Sequence, residues 1–367
     1  MATSWLIYGA NGYTGRLLVE EALKRGLRPV LAGRNLAKVE EVARPYGLEA
    51  RAVDLHDAPA LRELVRGHAL VLHAAGPFRE TSAPMVEACI AERASYLDIT
   101  GEIGVFASVF TRDAAARAAG IALLPGVGFD VVPTDCLARF VAERAPGATD
   151  LEIAIAALGS LSTGTAKSML AGAGEGGFVR REGRLVNWPF GRGARTVRFS
   201  DRERWVVPIP WGDLETAFHT TRIPNITTLA AVPKRLARTL AVSWPALWAG
   251  TPLTAAALRV GTLHDAATRY IERRFPGPDA AQRAAGRSFI WARASGGGVS
   301  AEAWLETPEG YSLTAVTGLN AVERVLAERP VGALTPALAF GADFILQAPG
   351  TRRLEAIAAD NVSRVSP

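Results

Sequence analysis

Ser4–Arg16 reads S-W-L-I-Y-G-A-N-G-Y-T-G-R, an apolar run that breaks into three glycines and then into a helical pattern. That order spells a strand, a turn and the start of a helix. Gly9 permits the tight turn off the strand, Gly12 leaves bare backbone where a pyrophosphate can approach, and Gly15 lets the helix pack closely on the sheet. Between the outer glycines lie Ala10, Asn11, Tyr13 and Thr14, and the amides of Asn11 to Thr14 are expected to point at the anion. The helix dipole adds its positive end there, so a diphosphate needs no basic side chain in the turn. A glycine triplet alone also suits a plain strand-to-helix turn. What favours a dinucleotide is that strand, helix and second strand follow in order.

Outward from the turn, the helix places Leu18, Val19, Ala22 and Leu23 on one side and stops at Gly26. The second strand, 28–32, ends in Gly33-Arg34-Asn35. A site for NAD wants a carboxylate there for the ribose 2′-hydroxyl, whereas a 2′-phosphate wants an arginine. Arg34, with Lys38 one helical turn later, therefore predicts NADP rather than NAD, against the bland reading that Arg34 caps a loop. A third strand, 48–53, leads to Asp54, which either meets the adenine or caps the helix 58–65. The fourth strand, 69–75, is a continuous apolar run ending in Ala75-Gly76-Pro77, which suits a strand buried on both faces with the cofactor passing close to its end. A helix 84–93, a fifth strand 95–99, a helix 103–119 and a sixth strand 121–124 complete a Rossmann doubly wound parallel sheet.

Composition bounds the remaining possibilities. The chain has 367 residues, 49% hydrophobic and 21% charged, and is long enough for two domains. Its net charge of +5 comes from scattered arginines, since Lys24, Lys38, Lys167 and Lys234 are the only lysines. That spread lacks the basic stripe of a nucleic-acid groove. Two cysteines, Cys89 and Cys136, predict a reducing compartment without a structural disulfide. The opening residues lead into a strand with no leader-like core, so the expected location is cytoplasmic.

The turn G-A-N-G-Y-T-G, the segment A-A-G-P-F-R-E-T-S-A-P-M-V-E-A-C-I, the stretch Y-L-D-I-T-G-E and the loop P-G-V-G-F-D-V-V-P-T-D resemble the saccharopine dehydrogenase-like NADP-binding proteins, which include trans-acting enoyl reductases. The likeness covers about residues 4–140 well and continues weakly through S-T-G-T-A-K-S and G-A-L-T-P-A-L-A-F-G-A-D-F. It implies an NADP-binding Rossmann domain joined to a mixed α/β substrate domain. It does not imply saccharopine as substrate.

The expected division is residues 1–135 for the Rossmann domain and 136–330 for a substrate and dimerisation domain, with C-terminal helices in 331–367 returning to the first. In the second domain, strands at 151–158, 195–199, 205–209, 226–232, 289–295, 299–306 and 311–317 predict an α+β domain on a mostly antiparallel sheet, with Pro308-Glu309-Gly310 as a hairpin turn and helices at 319–328 and 335–347.

Chemistry is less legible. No tyrosine has a lysine four residues on, the five histidines show no metal spacing, and G-x-S-x-G is absent, so short-chain-dehydrogenase, metal and acyl-transfer chemistries are not expected. Phe129 and Asp130, in the loop after the sixth strand, are the substrate-site candidates, because ligands of open α/β sheets bind at that edge. Thr134 and Asp135 read as helix N-caps. Lys167 follows Ser162, Thr163 and Thr165, where a helix start holds either a substrate anion or an ordinary cap.

The chain thus reads as an NADP(H)-dependent oxidoreductase that passes hydride to an activated C=C bond of an enoyl-type, lipid-like substrate. Two alternatives remain: an imine reductase using Arg180, Arg181 and Arg184 on a carboxylate, and a non-catalytic NADP-binding sensor. Leu240–Leu258 carries no charge and includes Trp244 and Trp248, with Lys234, Arg235 and Arg238 ahead of it. It reads as core or a homodimer interface, as a lid over an apolar substrate, or as a membrane-surface contact.

Overall fold

The computed structural model describes residues 4–157, 177–189, 191–245, 270 and 277–357. Lys167, the S-T-G-T-A-K-S stretch and residues 246–258 of the uncharged stretch lie outside the described residues. Two sheets organise the molecule. The first comprises β1 (Trp5–Tyr8), β2 (Val30–Gly33), β3 (Ala50–Ala52), β4 (Leu70–His73), β5 (Ser95–Asp98), β6 (Ala122–Leu124) and β15 (Gly332–Ala333), in the order β15-β6-β5-β4-β1-β2-β3. All its pairings are parallel. The period of two along β1 sends Trp5 and Ile7 to one core and Leu6 and Tyr8 to the other, so both faces are covered.

Helices α2 (Leu36–Ala43), α3 (Ala58–Val65), α4 (Phe78–Glu92), α5 (Ile103–Phe110) and α6 (Asp113–Ala119) follow β2 to β5. The helix expected at 103–119 is thus two helices, and α4 starts six residues earlier than the sequence suggested, because Pro84 lies inside it rather than at its start. Of these helices, α3 to α6 pack on one face, while α2 shares the larger core on the other face with α1 (Tyr13–Lys24) and α7 (Val132–Arg144).

The second sheet runs β10 (Arg195–Arg198), β11 (Glu203–Pro208), β12 (Asn225–Ala231), β7 (Asp150–Ala157), β13 (Arg287–Gly296), β14 (Val299–Pro308) and β16 (Arg352–Leu354), with the hairpin β8 (Gly177–Arg181)–β9 (Arg184–Trp188) attached to β12. Its pairings are antiparallel except β12–β7, so the α+β expectation with a mostly antiparallel sheet holds. Helix α7 leaves the end of the first sheet and packs on β7, β13 and β14, joining the two layers through one apolar core. The remaining helices are α8 (Asp213–Thr221), α9 (Ala280–Ala285), α10 (Gly310–Glu328) and α11 (Pro336–Phe340), and residues 234–245 are also helical.

Two sequence expectations fail in one place. Residues 311–317 are not a strand, and Pro308-Glu309-Gly310 is not a hairpin turn. The Glu309 carboxylate accepts the Tyr311 and Ser312 amides and starts α10, which packs on α1, β4 and β5. The real hairpin, between β13 and β14, turns at Gly297 and Gly298 with φ of 60° and 82°, the left-handed pair that a two-residue turn needs. The helix expected at 335–347 is α11 followed, after Gly341, by a separate 3-10 turn at Phe344–Gln347.

Candidate functional site

The glycine turn divides its three glycines into two jobs. Gly9 has φ +87°, and a Cβ on it would lie 2.8 Å from the Ala74 carbonyl carbon and the Ala75 nitrogen, so the turn is pressed on the end of β4. At Gly15 a Cβ would lie 2.2 Å from the Gly9 carbonyl oxygen and 2.9 Å from Ala10 Cα. These two are glycine because protein backbone occupies the space. Gly12 is different: it is exposed, its φ of −72° suits any residue, and a Cβ would meet Gly9 O at 3.3 Å and nothing else within 4 Å. Bare backbone facing outward at the N-cap of α1, with the first-turn amides of Tyr13, Thr14 and Gly15 behind it, is a cradle for an anion.

The adenosine end lies at β2 and β3. Asn11 packs on Gly33, where a Cβ would lie 3.0 Å from its Oδ1. Arg34 and Lys38 stand just beyond, both exposed and without an ion pair among the described residues. The cap of α2 is Asn35, whose Oδ1 accepts the Lys38 amide, so Arg34 has no capping role. Asp54 accepts the His56 amide, whereas the cap of α3 is Asp57. The capping alternative for Asp54 is therefore corrected, and Asp54 is exposed at the end of β3.

At the other end, the loops after β4, β5 and β6 are tied into one surface by acids that sequence reasoning did not single out. Glu102 accepts the amides of Phe78 and Arg79 and so caps α4 just after Ala75, Gly76 and Pro77. Gly76 is exposed, and Thr81 donates to the Ala75 carbonyl. Asp98 is fully buried and accepts from Tyr96 Oη and the amides of Thr100 and Gly126, which clamps the β5 and β6 loops together. Burial pushes its carboxyl up to about 6, against those hydrogen bonds. The stretch Y-L-D-I-T-G-E contained both acids, but a strand-end Asp signals a clamp only once its partners are known.

Phe129 and Asp130 sit where the sequence put them, at this carboxyl edge. The Phe129 amide donates to Thr314 of α10, and Trp211 Nε1 donates to the Asp130 carbonyl. The Asp130 carboxyl packs on Gly101, where a Cβ would lie 2.8 Å from Oδ2, and burial alone pushes it up to about 6. Thr134 and Asp135 do not cap α7. The Thr134 hydroxyl donates to the Val131 carbonyl, while Asp135 accepts from Thr220 of α8 and the Ala337 amide of α11. Nearby Asp213, fully buried at the start of α8, is held well above the usual carboxylate range by burial.

Of the three arginines named for a substrate carboxylate, Arg180 and Arg181 are occupied, whereas Arg184 is exposed. Arg180 is buried against Glu215 and donates to the carbonyls of Leu214 and Gly183, and Arg181 donates to the Arg180 and Ile226 carbonyls and to Thr227. The second sheet instead reaches the glycine turn through other residues. Tyr13 packs edge-on against Tyr311, ring centres 5.0 Å apart, and its hydroxyl meets the Pro278 carbonyl and Arg283. An open hollow of about 690 Å3 bordered by Arg195, Trp291 and Trp304 lies on strands of the second sheet and shares no residue with this site. Among the described residues no cluster of side chains has the make-up of a metal site, and no helix is long and apolar enough to cross a membrane.

A parallel sheet whose first turn offers bare glycine backbone and free helix-start amides to an anion has the make-up of a dinucleotide-binding fold of the Rossmann type. Residues 5–124, about a third of this chain, match the saccharopine dehydrogenase NADP binding domain. Its cofactor is thus a nicotinamide dinucleotide. A Mycobacterium tuberculosis protein provisionally assigned as a trans-acting enoyl reductase is 31% identical over 179 residues, 45% of this chain and 43% of that protein. An Arabidopsis thaliana protein, provisionally a mitochondrial saccharopine dehydrogenase-like oxidoreductase, is 32% identical over 156 residues, 38% of this chain and 34% of that one. The matches therefore span less than half of these relatives. Apo saccharopine dehydrogenase (L-Glu forming) from Saccharomyces cerevisiae shares the fold over 94% of this chain and 96% of its own, with a TM-score of 0.60 at 12% identity.

Proposed function

We propose that the protein is an NADPH-dependent reductase that saturates an activated C=C bond in an enoyl-type, lipid-like substrate bound between the two sheets. The observation that carries the cofactor choice is Arg34 with Lys38, two exposed cations without an ion pair among the described residues at the end of β2, where a 2′-phosphate would lie. The matched domain is described as NADP-binding, and a relative of matching sequence carries the enoyl reductase assignment.

The bound dihydronicotinamide supplies a hydride. This chain's residues do the rest. Gly9, Ala10 and Gly12 shape the turn, with their own amides bonded to the Ala32 and Gly9 carbonyls; the amides of Asn11, Tyr13, Thr14 and Gly15 would hold the pyrophosphate, and Asp54 would lie by the adenosine. Ala75, Gly76 and Pro77 leave an open strand end for the nicotinamide ribose. Phe129 walls the substrate space, and Asp130, pushed up to about 6, is the acid placed to give the proton that completes the reduction. The imine alternative has less support, because Arg180, one of the three arginines it would use, is committed to Glu215 and backbone carbonyls. Cys89 and Cys136, buried free thiols, fit work in a reducing compartment such as the cytoplasm.

Titration calorimetry tests the cofactor reading. NADPH should bind at least tenfold more tightly than NADH, about 1.4 kcal/mol, and Arg34→Ala should erase most of that ratio while leaving NADH unchanged. Equal affinities in the wild type refute NADP preference. Consumption of NADPH with 2-enoyl thioesters, and none with imines formed from amino acids, is the outcome expected for the reaction; binding without turnover on either would leave a sensor as the function.

A further inference from the structure

We propose that Arg283, carried on α9, the short helix that leads into β13, is a ligand of the dinucleotide's pyrophosphate, so that part of the cofactor site is supplied by a segment remote from the first sheet's own loops. The inference rests on the dinucleotide reading and extends it to a residue remote in sequence from the glycine turn.

Placement comes first. Tyr13 is the first residue of α1, directly after the bare backbone of Gly12. Its hydroxyl donates to the Pro278 carbonyl and accepts from Arg283 Nη1 at 3.0 Å, and the Arg283 guanidinium carbon stands 6.0 Å from the ring centre. The segment can come this close because of Gly277, with φ +93°: a Cβ there would lie 2.7 Å from the Tyr13 ring. A capping box of Asp279 and Gln282 then starts α9 and fixes the direction in which Arg283 leaves it.

Charge comes second. Arg283 is half-buried and makes no ion pair among the described residues, and its hydrogen bonds are to a phenol and to the Pro278 carbonyl. The acid in the neighbourhood, Glu309, is committed to the Tyr311 and Ser312 amides. A guanidinium carries five N–H donors in a planar fork suited to phosphate oxygens, and partly burying it without a counter-charge is unfavourable. Arg283 contacts the hydroxyl of Tyr13, the residue directly after Gly12, so the anion expected at Gly12 is the counter-charge that the proposal assigns to it. The first-turn amides and Arg283 would then hold the two sides of one diphosphate.

The pyrophosphate is common to NADPH and NADH, which gives the test its discrimination. Both are titrated calorimetrically against the full chain, as wild type, Arg283→Ala and Arg283→Lys, at low salt, with thermal melts to check folding. Arg283→Ala should weaken both dinucleotides by about tenfold with their ratio unchanged, and Arg283→Lys should restore part of the loss to both. Arg34→Ala, by contrast, should weaken NADPH alone. Unchanged affinities in Arg283→Ala, or a loss confined to NADPH, would overturn the inference while leaving the cofactor reading intact. A wild type that binds neither dinucleotide would overturn both.

Discussion

Gly12 and Gly15 look alike in a motif and differ in what a methyl group would strike. At Gly15 the obstacle is the Gly9 carbonyl at 2.2 Å, a backbone atom that cannot move without opening the turn; at Gly12 it is the same oxygen at 3.3 Å, with open space otherwise. Gly15→Ala should therefore lower thermal stability and dinucleotide affinity together. Gly12→Val should leave the melting temperature near wild type and abolish binding, since its side chain would stand where the pyrophosphate belongs. Calorimetry paired with thermal melts separates the two; a Gly12→Val protein that binds NADPH normally would put the phosphate elsewhere. At this scale the turn was legible because backbone geometry restricts which residues can stand there. Asp54 and Asp57 show the limit: both suit a helix start, and only the position of the Ala60 amide decides that Asp57 is the cap.

Among elements, strands inside the sheets were readable and helix starts supported from afar were not. The run Y-S-L-T-A-V-T at Tyr311–Thr317 alternates in size and is rich in β-branched residues, which mimics a strand. In place it is the first half of a helix wedged between α1 and the first sheet, with Leu313, Thr314, Ala315 and Thr317 all buried, so no polar stripe betrays the helical period. Helix α4 was likewise obscured, since its first amides are satisfied by Glu102, 24 residues away. Glu102→Ala should cost about 1 kcal/mol as a lost cap, seen as a lower denaturation midpoint. Because the capped residues follow Ala75, Gly76 and Pro77, it should also weaken NADPH binding several-fold. Unchanged affinity alongside lower stability would show that the cap serves the helix and not the cofactor edge.

Over the whole molecule, the buried acids predict how stability responds to pH. Asp130 in the folded chain titrates near 6, above its ordinary value of 3.8, so its protonated form is the one folding favours. Its contribution is complete below the ordinary carboxylate value and is lost as pH rises through about 6. Among the described residues the carboxyl makes no hydrogen bond that an amide would forfeit, so Asp130→Asn should stabilise the protein at pH 7.5 by about 1–2 kcal/mol, a value reduced for residual solvent contact. Below about pH 4 the difference should vanish. Urea titrations at both pH values check this; an Asn variant less stable at pH 7.5 would mean the charged carboxylate has a partner. The sequence indicated two domains and placed Asp130 at the right edge. It was silent on how the layers join, because that depends on pairs such as Tyr13 with Pro278 and Phe129 with Thr314, contacts between residues 265 and 185 positions apart.

The seventh strand of the first sheet is Gly332–Ala333, hydrogen-bonded beside β6, and the helix that covers α1 immediately precedes it. On the ribosome, synthesis runs from the N-terminus, so six strands of the nucleotide domain emerge long before the pieces that close their edge and cover their helix. Until Gly332–Ala333 is made, β6 is an open parallel edge of Ala122, Leu123 and Leu124, side chains that are all fully buried in the folded structure. Such an edge invites pairing with a neighbouring nascent chain. The nucleotide sheet is begun before the second sheet yet receives this strand only after β14 has been made, so closing its edge waits on synthesis of all the chain between β6 and β15.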